Sequence, residues 1–290
     1  MRWLWRLNEL RRLKRWPIKA ALIALVVLVV CYPYPRIFIR NLRHWSDPNV
    51  LVQPDHPGLR DWLDELRADA IEQLPAKEAL RRVESLVYKK VPYEWDWNTW
   101  GTADYMPTVD EILANGKEDC DGRAVIAASL LRGLGYDAKL ATNFAHVWVT
   151  TPQGDTMGPG ERTAIVATEK GVKFRAVALG EMFRGFAFGT AVFPLSREIV
   201  IALAAWLMLL ERRSSRWKAA ACLVGMVVGL ILVQRGGANY WDQNVRMVRG
   251  GFAMIASAMF LQWWIGAASR RAERNQPQPM SKATTAGDSL

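Results

Sequence analysis

The distribution of apolar residues restricts the fold of this chain most strongly, because apolar regions at both ends enclose a polar middle. The N-terminal run covers residues 20–34, and the C-terminal runs cover residues 199–210, 219–233 and 251–268. Apolar residues make up 51% of the chain, and its mean hydropathy of −0.02 conceals how strongly they are segregated into these runs. A bilayer-spanning helix needs about 20 apolar residues, which the flanking residues can supply. We therefore predict one N-terminal and about three C-terminal transmembrane helices.

Basic residues flank these runs and account for much of the net charge of +10. They cluster at residues 2–19, 212–218 and 270–274, each cluster beside an apolar run. Such clusters mark the cytoplasmic ends of membrane helices, so we expect a lipid bilayer as partner and no nucleic acid. With four spans, both termini lie in the cytoplasm and the polar middle lies outside it. Several of the fourteen tryptophans lie beside the runs, where indole rings favour the membrane interface.

Two alternatives compete with this topology. A cleaved signal peptide would need a small-x-small site after the first run, but residues 31–36 read Cys-Tyr-Pro-Tyr-Pro-Arg. Buried core helices would not explain three successive C-terminal runs with basic flanks. The predicted divisions are a basic head and anchor at 1–40, an extracytoplasmic domain at 41–185, transmembrane helices at 186–270 and a disordered cytoplasmic tail at 271–290.

The polar middle predicts an α+β domain, with helices preceding an antiparallel sheet. Residues 59–66 and 76–91 have helical spacing, and Thr108 with Glu111 predicts a capped short helix that ends near Gly116. The predicted strands cover residues 138–142, 145–151, 163–168 and 172–177, with turns at 152–155 and 169–171. Residues 41–58 contain proline and aspartate and are interpreted as a linker. About 140 residues are enough for a separate hydrophobic core.

A further helix of this domain is predicted to begin at Cys120. Apolar residues recur at helical spacing over residues 124–134, and glycines at 133 and 135 end the pattern. A thiol in the first turn is exposed to the helix dipole and to free backbone N–H groups, which favour the thiolate. The sequence therefore predicts an activated thiol.

Cys120 is also the only cysteine in the polar middle. Cys31 and Cys222 lie inside apolar runs and are interpreted as packing residues, so the three cysteines do not indicate a disulfide framework. His146 lies near the start of a predicted strand downstream. A cysteine on a helix and a histidine on a strand is one arrangement that supplies a nucleophile with its base.

These segments resemble a known family. Asp119-Cys-Asp-Gly-Arg-Ala, the helix ending in Gly-Leu-Gly-Tyr-Asp-Ala, and His146-Val-Trp-Val are similar to the transglutaminase-like superfamily of papain-type cysteine enzymes. Tyr93-Glu-Trp-Asp and residues 100–116 resemble its bacterial transglutaminase-like cysteine proteinase branch. The resemblance covers roughly residues 78–160 and none of the apolar regions. It implies a transglutaminase-like, papain-like fold with Cys120 as nucleophile and His146 as general base.

The resemblance also implies an aspartate on the next strand that orients the histidine. Its usual position falls near Gly158, which has no side chain to contribute. Asp155, nearer the turn, is the first alternative and Glu161 the second, while no carboxylate, or one from elsewhere, remains open. The backbone N–H of Cys120 would form half of an oxyanion hole. The alternatives for the second donor are Trp95, Trp97, Asn98 and Trp100, although aromatic packing also explains this cluster.

The expected function is thiol acyl transfer on a peptide or protein amide by a membrane-anchored protease or amidase. No cofactor is expected, and no metal, because one cysteine and one histidine leave a zinc site short of ligands. The expected location is the inner membrane of a bacterium, multi-pass, with the catalytic domain outside the cytoplasm and room for a membrane-protein partner. The alternative is a catalytically degenerate domain that acts in envelope assembly. A transporter is a weaker alternative, because the apolar runs show no convincing internal charge.

Overall fold

The computed structural model describes residues 12–143, 145–158, 165–168, 171–174, 179–210 and 215–274. Within them, a mostly helical α+β domain with an antiparallel sheet is combined with long apolar helices. The α+β class with an antiparallel sheet is therefore confirmed, whereas the predicted number of transmembrane helices stays a prediction. Residues 1–11, 211–214 and 275–290, which hold much of the predicted basic head, basic loop and tail, lie outside the described part.

The N-terminal helices are α1 (Arg12–Cys31) and α2 (Pro35–Ser46), which meet at a bend of 89°. Pro33 follows the end of the first helix, and Pro35 occupies the first position of the second, where a missing N–H leaves no helical hydrogen bond unmade. The predicted linker therefore begins inside α2, across the expected division between residues 40 and 41. It is also packed into the domain, because the side chains of Leu51 and Val52 are buried in its core.

The helical part of the domain comprises α3 (Arg60–Ala68), α4 (Ala76–Lys90), α5 (Asp96–Thr99), α6 (Val109–Asn115) and α7 (Cys120–Gly133). At α6 the Thr108 and Glu111 side chains form the predicted capping box, and Gly116 ends the helix in a left-handed conformation. Helix α7 contacts α4, α6 and the sheet, so most of its residues from Asp121 to Leu131 are buried. It is the central element of the domain and begins at the predicted cysteine.

The sheet contains β1 (Lys139–Thr142), β2 (Val147–Thr151), β3 (Gly154–Thr156), β4 (Ile165–Thr168) and β5 (Gly171–Phe174). Its order is β3-β2-β1-β4-β5, and all neighbours are antiparallel. Each of the four predicted strands corresponds to an observed one, and the predicted turn at 152–155 leads into β3. Residues 163–164, 169–170 and 175–177 of the predicted strands and turns lie outside the described part. Strand β2 packs on α7.

The C-terminal helices are α8 (Leu179–Val192), α9 (Leu195–Leu209), α10 (Arg216–Gly237) and α11 (Val245–Arg274). Two of them are individually long and apolar enough to cross a bilayer, over Arg216–Gly237 and Val245–Ala268. The pairs α1–α2 and α8–α9, the latter bent by 109°, raise the number to four if each pair is one span. The described residues thus contain two to four candidate spans, and the predicted number of four stays a prediction. Helix α8 runs across the expected division at residue 186.

Helices α10 and α11 approach each other closely at two glycines. A Cβ atom on Gly229 would lie 2.7 Å from the Gly251 carbonyl oxygen, and one on Gly251 would lie 2.6 Å from that of Gly229. Small residues at such a crossing let two helix backbones come into contact, which is a common packing device between membrane helices.

The α+β domain contacts the C-terminal helices on the side that carries Trp95 and Trp97. These rings lie beside Phe188 of α8 and Phe193 after it, with centroid separations of 6.5 and 6.0 Å. Arg197 of α9 donates a hydrogen bond of 2.9 Å to the Gly101 carbonyl oxygen. Aromatic packing and a polar contact thus both join the two parts.

Candidate active site

Cys120 occupies the first turn of α7, as the sequence predicts. The Asp119 side chain caps this helix by accepting a hydrogen bond of 3.0 Å from the Asp121 N–H. The Cys120 side chain is half-buried, and its thiol donates to Asp121 Oδ1 at 3.2 Å. The backbone N–H of Val147 in turn donates to the sulfur, so the start of β2 lies directly against the start of α7.

The electrostatic environment of Cys120 differs from the predicted one. Burial raises the pKa of the Cys120 thiol well above its usual value, and the Asp121 and Asp119 carboxylates raise it further. The Val147 N–H acts in the opposite direction but does not outweigh them. The helix start alone would favour the thiolate, whereas two carboxylates in the same turn favour the thiol. The resting group is therefore a thiol, which agrees with its hydrogen bond to Asp121.

His146 immediately precedes β2 and is thus one residue from the N–H group that contacts the Cys120 sulfur. Its Nε2 atom lies 2.9 Å from the Met157 carbonyl oxygen. A carbonyl can only accept, so Nε2 carries the hydrogen and Nδ1 of the neutral ring is unprotonated. Burial lowers the pKa of His146, and the bond to Met157 acts in the opposite direction. Among the described residues, no hydrogen bond joins the imidazole to the sulfur.

Asn143 holds the loop that leads to His146, a role that the sequence analysis missed. Its Oδ1 atom accepts from the backbone N–H groups of Ala145 at 3.3 Å and of His146 at 3.1 Å. Its Nδ2 atom donates to the hydroxyl of Tyr240, which lies between α10 and α11, at 3.1 Å. An asparagine at the end of a predicted strand could have indicated this role, because its side chain can hydrogen-bond to backbone N–H groups of the following turn.

The described structure does not bring Asp155 to His146. Asp155 is exposed and lies opposite Thr150 in the β2–β3 register. Thr150 is four positions after His146, which corresponds to about 13 Å along a strand. The register instead brings Gly158 beside the imidazole, where a Cβ atom would lie 2.7 Å from His146 Nε2. Glu161, the second alternative, lies outside the described residues.

A comparison with family models agrees with this arrangement of helix, strand, thiol and imidazole. The model described as the transglutaminase-like superfamily matches residues 65–161, a span that includes both Cys120 and His146. This domain belongs to the transglutaminase-like superfamily. The match includes neither α1 and α2 nor the C-terminal helices. Searches of curated proteins and of solved structures each gave no match.

A group of buried carboxylates surrounds the N-terminus of α7 in the transglutaminase-like domain. Oxygen atoms of Asp96, Asp104 and Asp121 lie within 4.8 Å of one another. Asp96 Oδ1 and Asp121 Oδ2 have no hydrogen-bond partner among the described residues. Carboxylate oxygens are the ligands that hard cations such as Ca²⁺ prefer, so these three residues could hold one. The sequence alone did not indicate that Asp96 and Asp104 approach the start of α7.

Several carboxyl groups at the start of this helix have raised pKa values. Burial, followed by the neighbouring carboxylates, raises the pKa values of Asp96 and Asp121 well above their usual range. Burial also raises the pKa of Glu118 to about 8 and that of Asp119 to about 7. Glu118 and Asp119 therefore titrate near neutral pH in the absence of a cation.

The predicted oxyanion donors are only partly free. Asn98 Nδ2 donates to Glu94 at 2.7 Å and Trp100 Nε1 donates to Glu118 at 2.6 Å, so these two side chains are occupied. The rings of Trp95 and Trp97 stack with centroids 4.6 Å apart, as the packing interpretation predicts.

Tyr93 is a further polar group at the site, which the sequence analysis treated only as part of a motif. Burial raises the pKa of its hydroxyl, and the charge of a Cys120 thiolate raises it further, which indicates that the hydroxyl lies near the sulfur. The guanidinium of Arg123 lies 5.0 Å from the centre of the Tyr93 ring. Helix α7 therefore supplies both the thiol and a cation that packs on this ring.

Proposed function

We propose that this chain is a membrane-anchored transglutaminase-like cysteine enzyme that performs acyl transfer on amide substrates, with Cys120 as nucleophile and His146 as general base. The observation that carries the proposal is the position of His146, one residue from the N–H group that contacts the Cys120 sulfur. The family match over both residues supports it.

The proposed reaction begins from a neutral thiol and a neutral imidazole. His146 Nδ1 accepts the thiol proton as the sulfur attacks the amide carbon, and the Cys120 N–H stabilises the developing oxyanion. The imidazolium then gives its proton to the leaving nitrogen, the C–N bond breaks, and a thioester remains. Water attacks the thioester, His146 accepts its proton and returns it to sulfur, and the acid product leaves. We favour water over an amine as acceptor, because water is always present and nothing here marks an amine site.

A degenerate domain that binds a peptide or cell-wall material during envelope assembly is the second candidate function. Two observations favour it: the Cys120 pKa is raised, and glycine occupies the position that usually holds the orienting acid. An inert thiol would agree with this candidate, whereas a thiol that reacts at neutral pH would not.

Labelling of the full-length chain by iodoacetamide, with the labelled cysteines identified by mass spectrometry, tests whether Cys120 is a reactive nucleophile. We expect Cys120 to be alkylated at neutral pH, and Cys120→Ser to abolish both this labelling and the hydrolysis of peptide amides. The Cys31→Ser/Cys222→Ser variant is the matched control and should keep both. Full hydrolytic activity in Cys120→Ser would exclude the proposed nucleophile.

We place the domain of residues 41–185 outside the cytoplasm of a bacterial cell, in a multi-pass protein of the inner membrane. The distribution of Lys and Arg beside the candidate spans supports this orientation. The contacts of Trp95 and Trp97 with the C-terminal helices support a substrate amide that reaches Cys120 near the membrane surface.

Reporter fusions test this orientation. Reporters fused after Gly58 and after Gly236 should be active outside the cytoplasm, and those after Ser214 and Asn275 inside it. A reporter after Gly58 that is active in the cytoplasm would overturn the location of the catalytic domain.

A further inference from the structure

The backbone at Met157 has an unusual conformation beside His146. Its φ angle is 65°, in the left-handed region that non-glycine residues rarely adopt. The Met157 side chain is only 3% exposed, so packing holds the residue in this conformation. Its carbonyl oxygen lies 2.9 Å from His146 Nε2. The left-handed residue and the acceptor of the imidazole hydrogen bond are therefore the same residue.

Gly158 provides the space that this contact needs. A Cβ atom at this position would lie 2.7 Å from His146 Nε2, 2.9 Å from Cδ2 of the same ring and 3.0 Å from Cβ of Trp148. The φ angle of Gly158 is outside the left-handed region, so its side-chain size, not its conformational freedom, is what matters. Any larger residue would push the ring away from the Met157 carbonyl.

We propose that the Met157 backbone carbonyl replaces the orienting carboxylate of this site, with Gly158 as the positioning residue that makes the contact possible. The inference rests on the proposed roles of Cys120 and His146. Like a carboxylate, the carbonyl fixes hydrogen on Nε2 and leaves Nδ1 free to accept the thiol proton.

A neutral acceptor also suits the charges of this site. Asp119 and Asp121 already flank Cys120 in the first turn of α7, and a carboxylate behind the imidazole would add a third acidic group to this site. The carbonyl orients the ring without that charge. It stabilises the imidazolium less than a carboxylate would, because hydrogen bonds between two charged groups are the stronger ones.

Nitrogen NMR of the ¹⁵N-histidine-labelled full-length chain in detergent micelles tests the tautomer directly. The chain contains only three histidines, so the signals can be assigned with one variant for each. We expect neutral His146 to carry its hydrogen on Nε2, with Nδ1 unprotonated. Hydrogen on Nδ1, or equal amounts of the two tautomers, would overturn the proposal.

Gly158→Ala tests whether the hydrogen bond from His146 to Met157 needs the space left by the missing side chain at position 158. We expect the tautomer preference to be lost and alkylation of Cys120 by iodoacetamide at pH 7 to slow about tenfold, the scale of one hydrogen bond to a charged group. The rate should approach that of the unmodified chain at high pH, where the thiol ionises without a base. A Gly158→Ala chain that folds and keeps both the tautomer and the pH profile would contradict the proposal.

Two further variants serve as controls. One tests whether any packing defect changes the His146 tautomer, and the other tests whether Asp155 is the orienting group instead. In Gly133→Ala, at the other end of α7, the new Cβ atom would lie 3.0 Å from Leu63, so packing is disturbed far from His146. We expect Gly133→Ala to lower thermal stability but to leave the tautomer and pH profile unchanged. A shift of the His146 tautomer in Asp155→Ala would favour Asp155 as the orienting group and would overturn the role proposed for the Met157 carbonyl.

Met157→Gly keeps the proposal testable if Gly158→Ala does not fold. Glycine accepts the left-handed conformation and retains the carbonyl, so the Nε2 tautomer should persist although the loss of a buried side chain lowers Tm. Loss of the tautomer in a folded Met157→Gly chain would overturn the proposal. Slow labelling of Cys120 in the unmodified chain would instead count against the proposed enzyme, while the tautomer measurement would still decide the role of the carbonyl.

Discussion

Cys120 is subject to two opposing influences. A helix N-terminus stabilises a negative charge by about 0.3–1 kcal/mol, which is less than one pKa unit. A nearby like charge shifts a pKa by about 1–3 units, and Cys120 has Asp119 and Asp121 as immediate neighbours. The carboxylates and burial therefore prevail, and the proposed chemistry needs a base that removes the proton during attack.

Asp119→Asn should lower the pKa of Cys120 while preserving the helix cap, since asparagine caps helices as well as aspartate does. We expect the midpoint of the alkylation profile of Cys120 against pH to fall by about one unit. Asp137→Asn, at a solvent-exposed carboxylate in the loop before β1, is the control and should leave the midpoint in place. An unchanged or higher midpoint in Asp119→Asn would show that this carboxylate does not act on the thiol.

Glu118 should make the domain less stable as pH rises. Its pKa is about 8 in the folded chain against an ordinary value of 4.5, so the folded state binds more protons between these limits. Stability is then highest below about pH 4.5 and is lost as pH rises through about 8. We expect the Tm of the original chain to fall relative to that of Glu118→Gln between pH 5 and pH 8, because the glutamine stays neutral while the glutamate must lose its proton. A Tm of the original chain that rises relative to that of the variant over this interval would refute the assignment.

At the scale of the elements, local patterns predicted more than long-range contacts. The capping box of α6, the start of α7 at Cys120 and the four strands depend on residues close in sequence, and each was located from spacing and turn residues. The burial of Leu51 and Val52 depends on contacts with distant helices, so the linker interpretation missed it. Similarly, the sequence could not show that α1 and α2 meet at a sharp bend.

In the candidate site, too, local sequence patterns predicted more than long-range contacts. Cys120 and His146 stand in recognisable motifs. The sequence placed Cys120 in the first turn of α7, where it lies, and His146 near the start of a strand that in fact begins one residue later. The acceptor of His146 is a backbone carbonyl, whose direction depends on the φ angle of Met157, and methionine gives no sequence signal for a left-handed conformation. The carboxylates of Asp96 and Asp104 come from a segment without clear periodicity, so their approach to α7 could not be predicted.

Thr108→Ala tests the capping box as an element-scale contribution. The Thr108 hydroxyl accepts from the Glu111 N–H, and loss of such a cap costs about 1 kcal/mol of unfolding free energy. Thr108→Ser retains the hydroxyl and should recover most of this loss. Cys120 alkylation should not change in either variant, because α6 ends before the segment that leads into α7. A stability loss no larger than that of Thr108→Ser would show that the cap contributes little.

At the scale of the whole molecule, the C-terminal helices contact the loop that leads to His146, the proposed general base. The Tyr240 hydroxyl accepts from Asn143, which binds the backbone of the loop before His146. The Tyr240 ring also packs against Phe188 of α8, with centroids 5.7 Å apart. A continuous series of contacts thus connects helix α8 through Tyr240 and Asn143 to the backbone of His146.

Tyr240→Phe removes the hydrogen bond to Asn143 while keeping the aromatic ring, so packing on Phe188 should survive. One neutral hydrogen bond contributes about 1 kcal/mol, and we therefore expect Cys120 alkylation at pH 7 to slow by about fivefold. Amide hydrogen exchange over residues 143–147 should accelerate, because the loop loses its anchor to the helices. Trp241→Phe alters the neighbouring exposed ring and should change neither quantity. If Tyr240→Phe leaves both the labelling rate and the exchange unchanged, the helices anchor the domain without influencing its base.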